Sequence, residues 1–255
     1  MPPINPCAGI LNDGSIIAYV RISEELLRWS ILDNNKNTSP EGSNMAAIPQ
    51  DVIARDSWFD VDKGELDRRV FSDQDIYQEE LKKIFARAWN FMCHESQIPE
   101  PGDYFLNRIG EDHVIAVRDR NQQVQVLLNS CSHRGNTVCR AEQDNTRSFF
   151  CSYHGWNFAL DGKLVAIPGE KDFYRSDIDK EALGLQKAAQ VSSYKGFVFA
   201  TLDASAPPLE DYLGWVGRLG IDSVAARGEI EVVNGIQKNR VRCNWKLAVD
   251  NLFGG

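Results

Sequence analysis

Residues 131–135 read CSHRG and residues 151–156 read CSYHGW. Each stretch supplies a cysteine, then a histidine, then a glycine, and the full spacing is C-x-H-x17-C-x-x-H. Short runs of alternating apolar residues flank both stretches, so the sequence places two like loops at strand ends in a compact antiparallel unit. Zinc accepts two Cys and two His, but its familiar sites pair like with like, as C-x2-4-C and H-x3-5-H. Here each loop mixes one thiolate with one imidazole.

A 2Fe-2S centre with one iron on two thiolates and the other on two imidazoles needs that mixture from each of two facing loops. That is Rieske ligation, with Cys131, His133, Cys151 and His154 as the cofactor-binding and metal-ligating residues. Exchanging two anionic thiolates for neutral imidazoles makes the oxidised site less negative. An electron therefore enters more easily, at about −150 to +300 mV against about −400 mV for plant-type all-thiolate clusters. Gly135 and Gly155 are expected where the loops approach the inorganic core, with no side chain to collide and backbone N–H groups turned to the sulfides. Trp156 and Tyr153 are expected to shield the centre from water; read singly, they are equally ordinary core aromatics. A structural zinc site on the same four residues is the competing reading.

The rest of the composition mostly excludes. The 255-residue chain carries a net charge of −8, with 28 Lys and Arg against 36 Asp and Glu. Nucleic-acid binding by counterion release needs clustered basic residues, and no such pattern is present. Apolar runs such as IIA at 16–18 and FVFA at 197–200 fall far short of the roughly 20 residues that cross a bilayer. MPPINPCAGILNDG at the start lacks the basic and apolar regions of a secretory signal, so the cytoplasm is the expected compartment. Six cysteines without an export signal point to metal ligation rather than to disulfides.

Along the chain, residues 1–44 are rich in Pro, Asn and Ser, with one helical candidate at 23–32 and a linker at 33–44. They read as a non-native extension upstream of a natural start at Met45, or as a disordered one. Ser72 is the expected N-cap of a helix whose apolar face runs from Tyr77 through Trp89 to Met92. Strands are expected at 104–109, 113–118, 123–129, 147–152, 156–160, 163–166, 187–194 and 196–202. A helix at about 208–219, a strand at roughly 229–242 and a helix from Asn244 follow.

CSHRGNTVCRA followed by CSYHGW resembles the Rieske motif of the large (α) subunits of aromatic ring-hydroxylating dioxygenases. KKIFARAW at 82–89, HESQIPEPGDY at 94–104, SYKGFVFATLD at 193–203 and CNWKLAVDN at 243–251 fall in family order, so the resemblance spans roughly residues 65–255. It implies an α+β chain: an all-β Rieske 2Fe-2S domain of antiparallel sheets, inserted in the beginning of an incomplete α+β catalytic domain. The expected segments are the extension at 1–44, a helical part of the catalytic domain at 45–89, the Rieske domain at 90–207 and the start of the catalytic domain at 208–255.

The resemblance also implies partners. Electrons come from a ferredoxin or an NAD(P)H-dependent reductase and pass to a mononuclear Fe(II), usually across a subunit boundary in a homotrimer of α subunits. A small (β) subunit and an aromatic substrate belong to the same picture, with neither nucleic acid nor membrane. One departure stands out. The aspartate that bridges the two metal sites is expected at about 254 or 255, where the sequence has Gly254 and Gly255, and the histidines of the mononuclear site are missing with it. No catalytic residue is therefore assigned, and a truncated gene product or incomplete gene is expected. His94 and His113 are read as structural or surface residues. The alternative function is a non-catalytic Rieske electron-transfer module.

Overall fold

A computed structural model describes residues 9–10, 15–17, 58–60, 63–174, 178–233, 235 and 240–253. The helix expected at 23–32, the linker at 33–44, the start at Met45 and the glycines at 254 and 255 lie outside the described residues. Fifteen strands are described: β1 Gly9–Ile10, β2 Ser15–Ile17, β3 Phe59–Asp60, β4 Glu65–Leu66, β5 Asn90–His94, β6 Asp103–Ile109, β7 Asp112–Arg118, β8 Val124–Leu128, β9 Gln143–Asn145, β10 Phe149–Phe150, β11 Asn157–Phe158, β12 Leu164–Ala166, β13 Gln190–Tyr194, β14 Phe197–Thr201 and β15 Arg240–Arg242. The helices are α1 Gln74–Glu80, α2 Glu170–Phe173, α3 Leu209–Ala225 and α4 Trp245–Phe253. None is long and apolar enough to cross a membrane.

Three antiparallel sheets build the centre. Their orders are β8-β7-β6-β9, β10-β11-β12 and β13-β14-β5. Strand β7 shows why they pack as they do. Val114, Ile115, Ala116 and Val117 are all buried, and the two-residue period divides them between opposite faces. Val114 and Ala116 join Val126 of β8 with Met92, Cys93, Val198 and Ala200 in one core. Ile115 and Val117 join Leu127 with Cys131, Cys151, Trp156 and Phe158 in a second core, directly beneath the two cysteine loops. A strand buried on both faces is what lets the loops rest on a rigid platform.

The helix expected to run from Ser72 to Met92 is shorter. Its N-cap is Asp73, whose carboxylate accepts from the Asp75 N–H at 2.8 Å, while Ser72 closes the preceding turn. The last turn widens to five residues, with Ala86 N–H donating to the Leu81 carbonyl. Asn90 Nδ2 then donates to the Phe85 and Ala88 carbonyls and ends the helical path. Met92 belongs instead to β5, which pairs with β14. The eight strands expected between 104 and 202 are all present, most of them trimmed at the ends. The strand expected at 229–242 is reduced to β15: described residues 229–233 have no strand partner and Val233 is 86% exposed. Helix α3 extends beyond 219 to Ala225 and breaks at Gly214.

Candidate metal centre

The two loops share one backbone frame, offset by twenty residues. Cys131 N–H donates to the Asn136 carbonyl at 2.9 Å, and Gly135 N–H donates back to the Cys131 carbonyl at 2.7 Å. In the second loop Cys151 N–H donates to the Trp156 carbonyl at 2.8 Å, and Gly155 N–H to the Cys151 carbonyl at 2.9 Å. The frame turns through glycines with φ of +71° at Gly135 and +73° at Gly155, a region that side chains with a Cβ rarely adopt. Their expected role changes accordingly. Both N–H groups are committed to carbonyls within the loop, and a Cβ on Gly155 would meet Pro168 Cγ at 2.7 Å, whereas one on Gly135 finds room.

Within this common frame the histidines differ by one place. His133 stands two residues after its cysteine and His154 stands three after its own. Their rings still converge, with centroids 4.6 Å apart and planes at 69°. Trp156 is buried and stacks on His133 at 4.8 Å with an interplanar angle of 9°. Tyr153 lies against His154 at 3.9 Å but is 58% exposed, so of the two expected shields only Trp156 is covered from solvent.

Cys131 and Cys151 are almost fully buried and lie within hydrogen-bonding reach of each other. Burial raises both thiols. At Cys151 it is outweighed by the backbone N–H groups of Tyr153 and His154 and by the Asn136 amide, so that thiol ends below its ordinary value. At Cys131 burial wins over the N–H groups of His133 and Arg134, and the thiol ends above it. Burial, followed by the charges of His154 and Arg134, holds His133 below the ordinary imidazole value, which favours the neutral, metal-binding form.

One atom in this arrangement has no use within the protein. His133 Nδ1 is buried without any hydrogen-bond partner, as is Asn157 Oδ1, and a bound ion is one of the few things that accounts for such an atom in a native structure. Among the described residues, no three His, Cys, Asp or Glu side chains surround a single point where one ion would sit. A two-iron group needs no such point, since each iron takes only two protein ligands. Two thiols within reach of each other and two converging imidazoles are the donor set that such a group takes.

The remaining candidates lie elsewhere. His94 packs edge-on against Phe197, and its Nδ1 accepts from the Ser96 N–H. His113 is on the exposed end of β7. The five described cysteines are free of disulfides, and burial pushes the Cys93 thiol up to about 12, an inert core residue. Two asparagines escaped the sequence reading. Asn129 Oδ1 accepts from the Val138 and Cys139 N–H groups while its Nδ2 donates to the Cys139 carbonyl, pinning the far side of the first loop. Asn136 Nδ2 donates to Cys151 Sγ across the gap between loops at 3.5 Å. Aligning the loops on their cysteines pairs Asn136 with Trp156 but does not place it against Cys151.

The Rieske [2Fe-2S] domain family matches residues 88–194, which contain both loops. The α subunit of biphenyl 2,3-dioxygenase of Rhodococcus jostii (strain RHA1) is 44% identical over 189 residues, 73% of this chain and 40% of the relative. The chain carries a Rieske [2Fe-2S] domain. Another relative of this Rieske protein is the large oxygenase component of naphthalene 1,2-dioxygenase of Pseudomonas putida, 40% identical over 185 residues, 72% of this chain and 41% of the relative. The solved structure of naphthalene 1,2-dioxygenase from Rhodococcus sp. bound to indole superposes with a TM-score of 0.68 at 40% identity, covering 73% of this chain and 42% of that one. The Rieske chain thus spans about 40% of the length of the curated relatives it matches.

Proposed function

We propose that Cys131, His133, Cys151 and His154 hold a Rieske 2Fe-2S centre, and that the chain is the electron-carrying part of an aromatic ring-hydroxylating dioxygenase α subunit. The observation that carries this reading is the buried, unpartnered Nδ1 of His133 beside two thiols that each accept two loop N–H groups. When bound, the centre takes up and releases one electron at a higher potential than an all-thiolate cluster. The protein's own residues set the conditions for that exchange. Trp156 covers one face of the half-buried His133, whereas His154 is exposed and open to an approaching partner.

Residues 90–207 form the Rieske domain, 45–89 and 208–255 belong to the catalytic domain, and 1–44 form an extension. Electrons enter from a ferredoxin or an NAD(P)H-dependent reductase in the cytoplasm. They leave for a mononuclear iron in an assembly of α subunits, with or without a small subunit, that acts on an aromatic substrate.

Purification under argon tests the assignment of the centre. The expected protein is red-brown, holds two irons and two sulfides per chain, and shows a Rieske signal in electron paramagnetic resonance after dithionite reduction. A colourless protein with stoichiometric zinc overturns it. Stopped-flow reduction by a ferredoxin and its reductase, fed with NADH, tests the partner.

A further inference from the structure

Asn136 and Trp156 occupy the same position in the two loops, five residues past their cysteines, and each reaches across to a proposed ligand of the other loop. Trp156 stacks on His133, and Asn136 Nδ2 lies 3.5 Å from Cys151 Sγ. The orientation of the Asn136 amide is settled by its surroundings. Its second N–H donates to the Thr137 carbonyl at 3.1 Å, and the sulfur and this carbonyl are both acceptors, so the NH2 end faces them. The Asn136 backbone is held as well, because its carbonyl accepts the Cys131 N–H at 2.9 Å. The half-buried amide is thus aimed rather than free. Among the described residues, Cys131 takes no comparable side-chain N–H from the other loop.

We propose that Asn136 tunes the reduction potential of the centre by donating its amide N–H to the Cys151 sulfur, an inference that rests on the ligand assignment above. A bound centre that took one electron from dithionite, without a proton, would go from ferric to ferrous at one iron and place more negative charge on the sulfurs. A donor dipole aimed at sulfur stabilises the more negative state more strongly. Loss of the donor therefore lowers the potential. Asn136 is a positioning and tuning residue and not a ligand.

The experiment is a dithionite titration of the purified chain, followed by electron paramagnetic resonance, for the wild type and for Asn136→Leu, Asn136→Ala and Asn136→Gln. Removing the donor lowers the ratio of reduced to oxidised protein at a set poise by at least about threefold, which is about 28 mV at 59 mV per tenfold for one electron. The leucine and alanine variants show this shift, whereas glutamine, which keeps the amide, stays nearer the wild type. If the leucine variant takes up no iron, alanine decides. A wild-type potential in donor-free variants that retain the Rieske signal overturns the tuning role. Absence of that signal in the wild type overturns the ligand assignment instead, so the two failures are distinct.

Discussion

His133 and His154 offer the same imidazole from different places in one loop frame. As proposed ligands they carry no charge, and replacing either with a thiolate adds a negative charge to the centre. His133→Cys and His154→Cys are each expected to lower the reduction potential, measured by the same titration; an unchanged potential removes that histidine from the ligand set. The glycines separate by surroundings. Gly155→Ala combines a left-handed backbone with a Cβ 2.7 Å from Pro168 Cγ, while Gly135→Ala meets only the backbone penalty. Denaturant unfolding should find a loss of about 1–3 kcal/mol for Gly135→Ala and a larger one for Gly155→Ala. The four proposed ligands were readable from spacing, because mixed Cys/His loops constrain the chemistry. Asn136 was not, since an asparagine after a glycine looks like any turn residue until the other loop is placed opposite it.

Elements whose evidence is local were the readable ones. The strands from β6 to β14 follow from alternation and from turns such as Asp161–Gly162, apart from the three residues of β9, which are polar, exposed and defined only by pairing with β6. Strand β5 failed for a related reason: Trp89 and Met92 continue a helical period, and the partner that makes 90–94 a strand lies about a hundred residues away in β14. Helix α4 is held to α1 by Glu80, which accepts from Trp245 Nε1 at 2.8 Å and Lys246 Nζ at 2.5 Å, with side-chain exposures of 11% and 21% for the ion pair. Glu80→Ala leaves a mostly buried cation unpaired and is expected to destabilise by about 2–4 kcal/mol, with amide exchange rising first in α4. Strand β5 carries a pH response. Burial holds His94 below the usual 6.5, and its Nδ1 accepts a backbone N–H, so the folded ring is neutral. As pH falls below about 6.5 the unfolded chain takes up a proton that the folded chain resists. Stability is therefore full above that value and declines beneath it, and a His94→Asn variant followed by thermal melts at pH 5 and pH 7 should lose this contribution to the decline.

At the scale of the molecule, the two cores on either side of β7 respond differently to the centre. The core of Met92, Val114, Val126 and Val198 contains no residue of either loop, whereas the other includes Cys131, Cys151 and Trp156. Removing iron with a chelator is expected to lower the melting temperature and raise hydrogen exchange in 131–139 and 151–158, while β5 and β14 remain protected. Equal loss in both regions would show that the two cores unfold as one. Fold class and cofactor were legible because antiparallel strands and their loops carry short-range signals. The surroundings of α4 were less so, because its contacts with α1 join segments more than 160 residues apart.

The reciprocal reach of Asn136 and Trp156 has a consequence for anyone wishing to transplant this centre into another scaffold. Neither loop is a self-sufficient cassette: one grafted alone would bring a cysteine and a histidine but leave its donor or its stacking partner behind. The smallest portable piece runs from Asn129, which ties the far side of the first loop, to Phe158, which roots the second in its core.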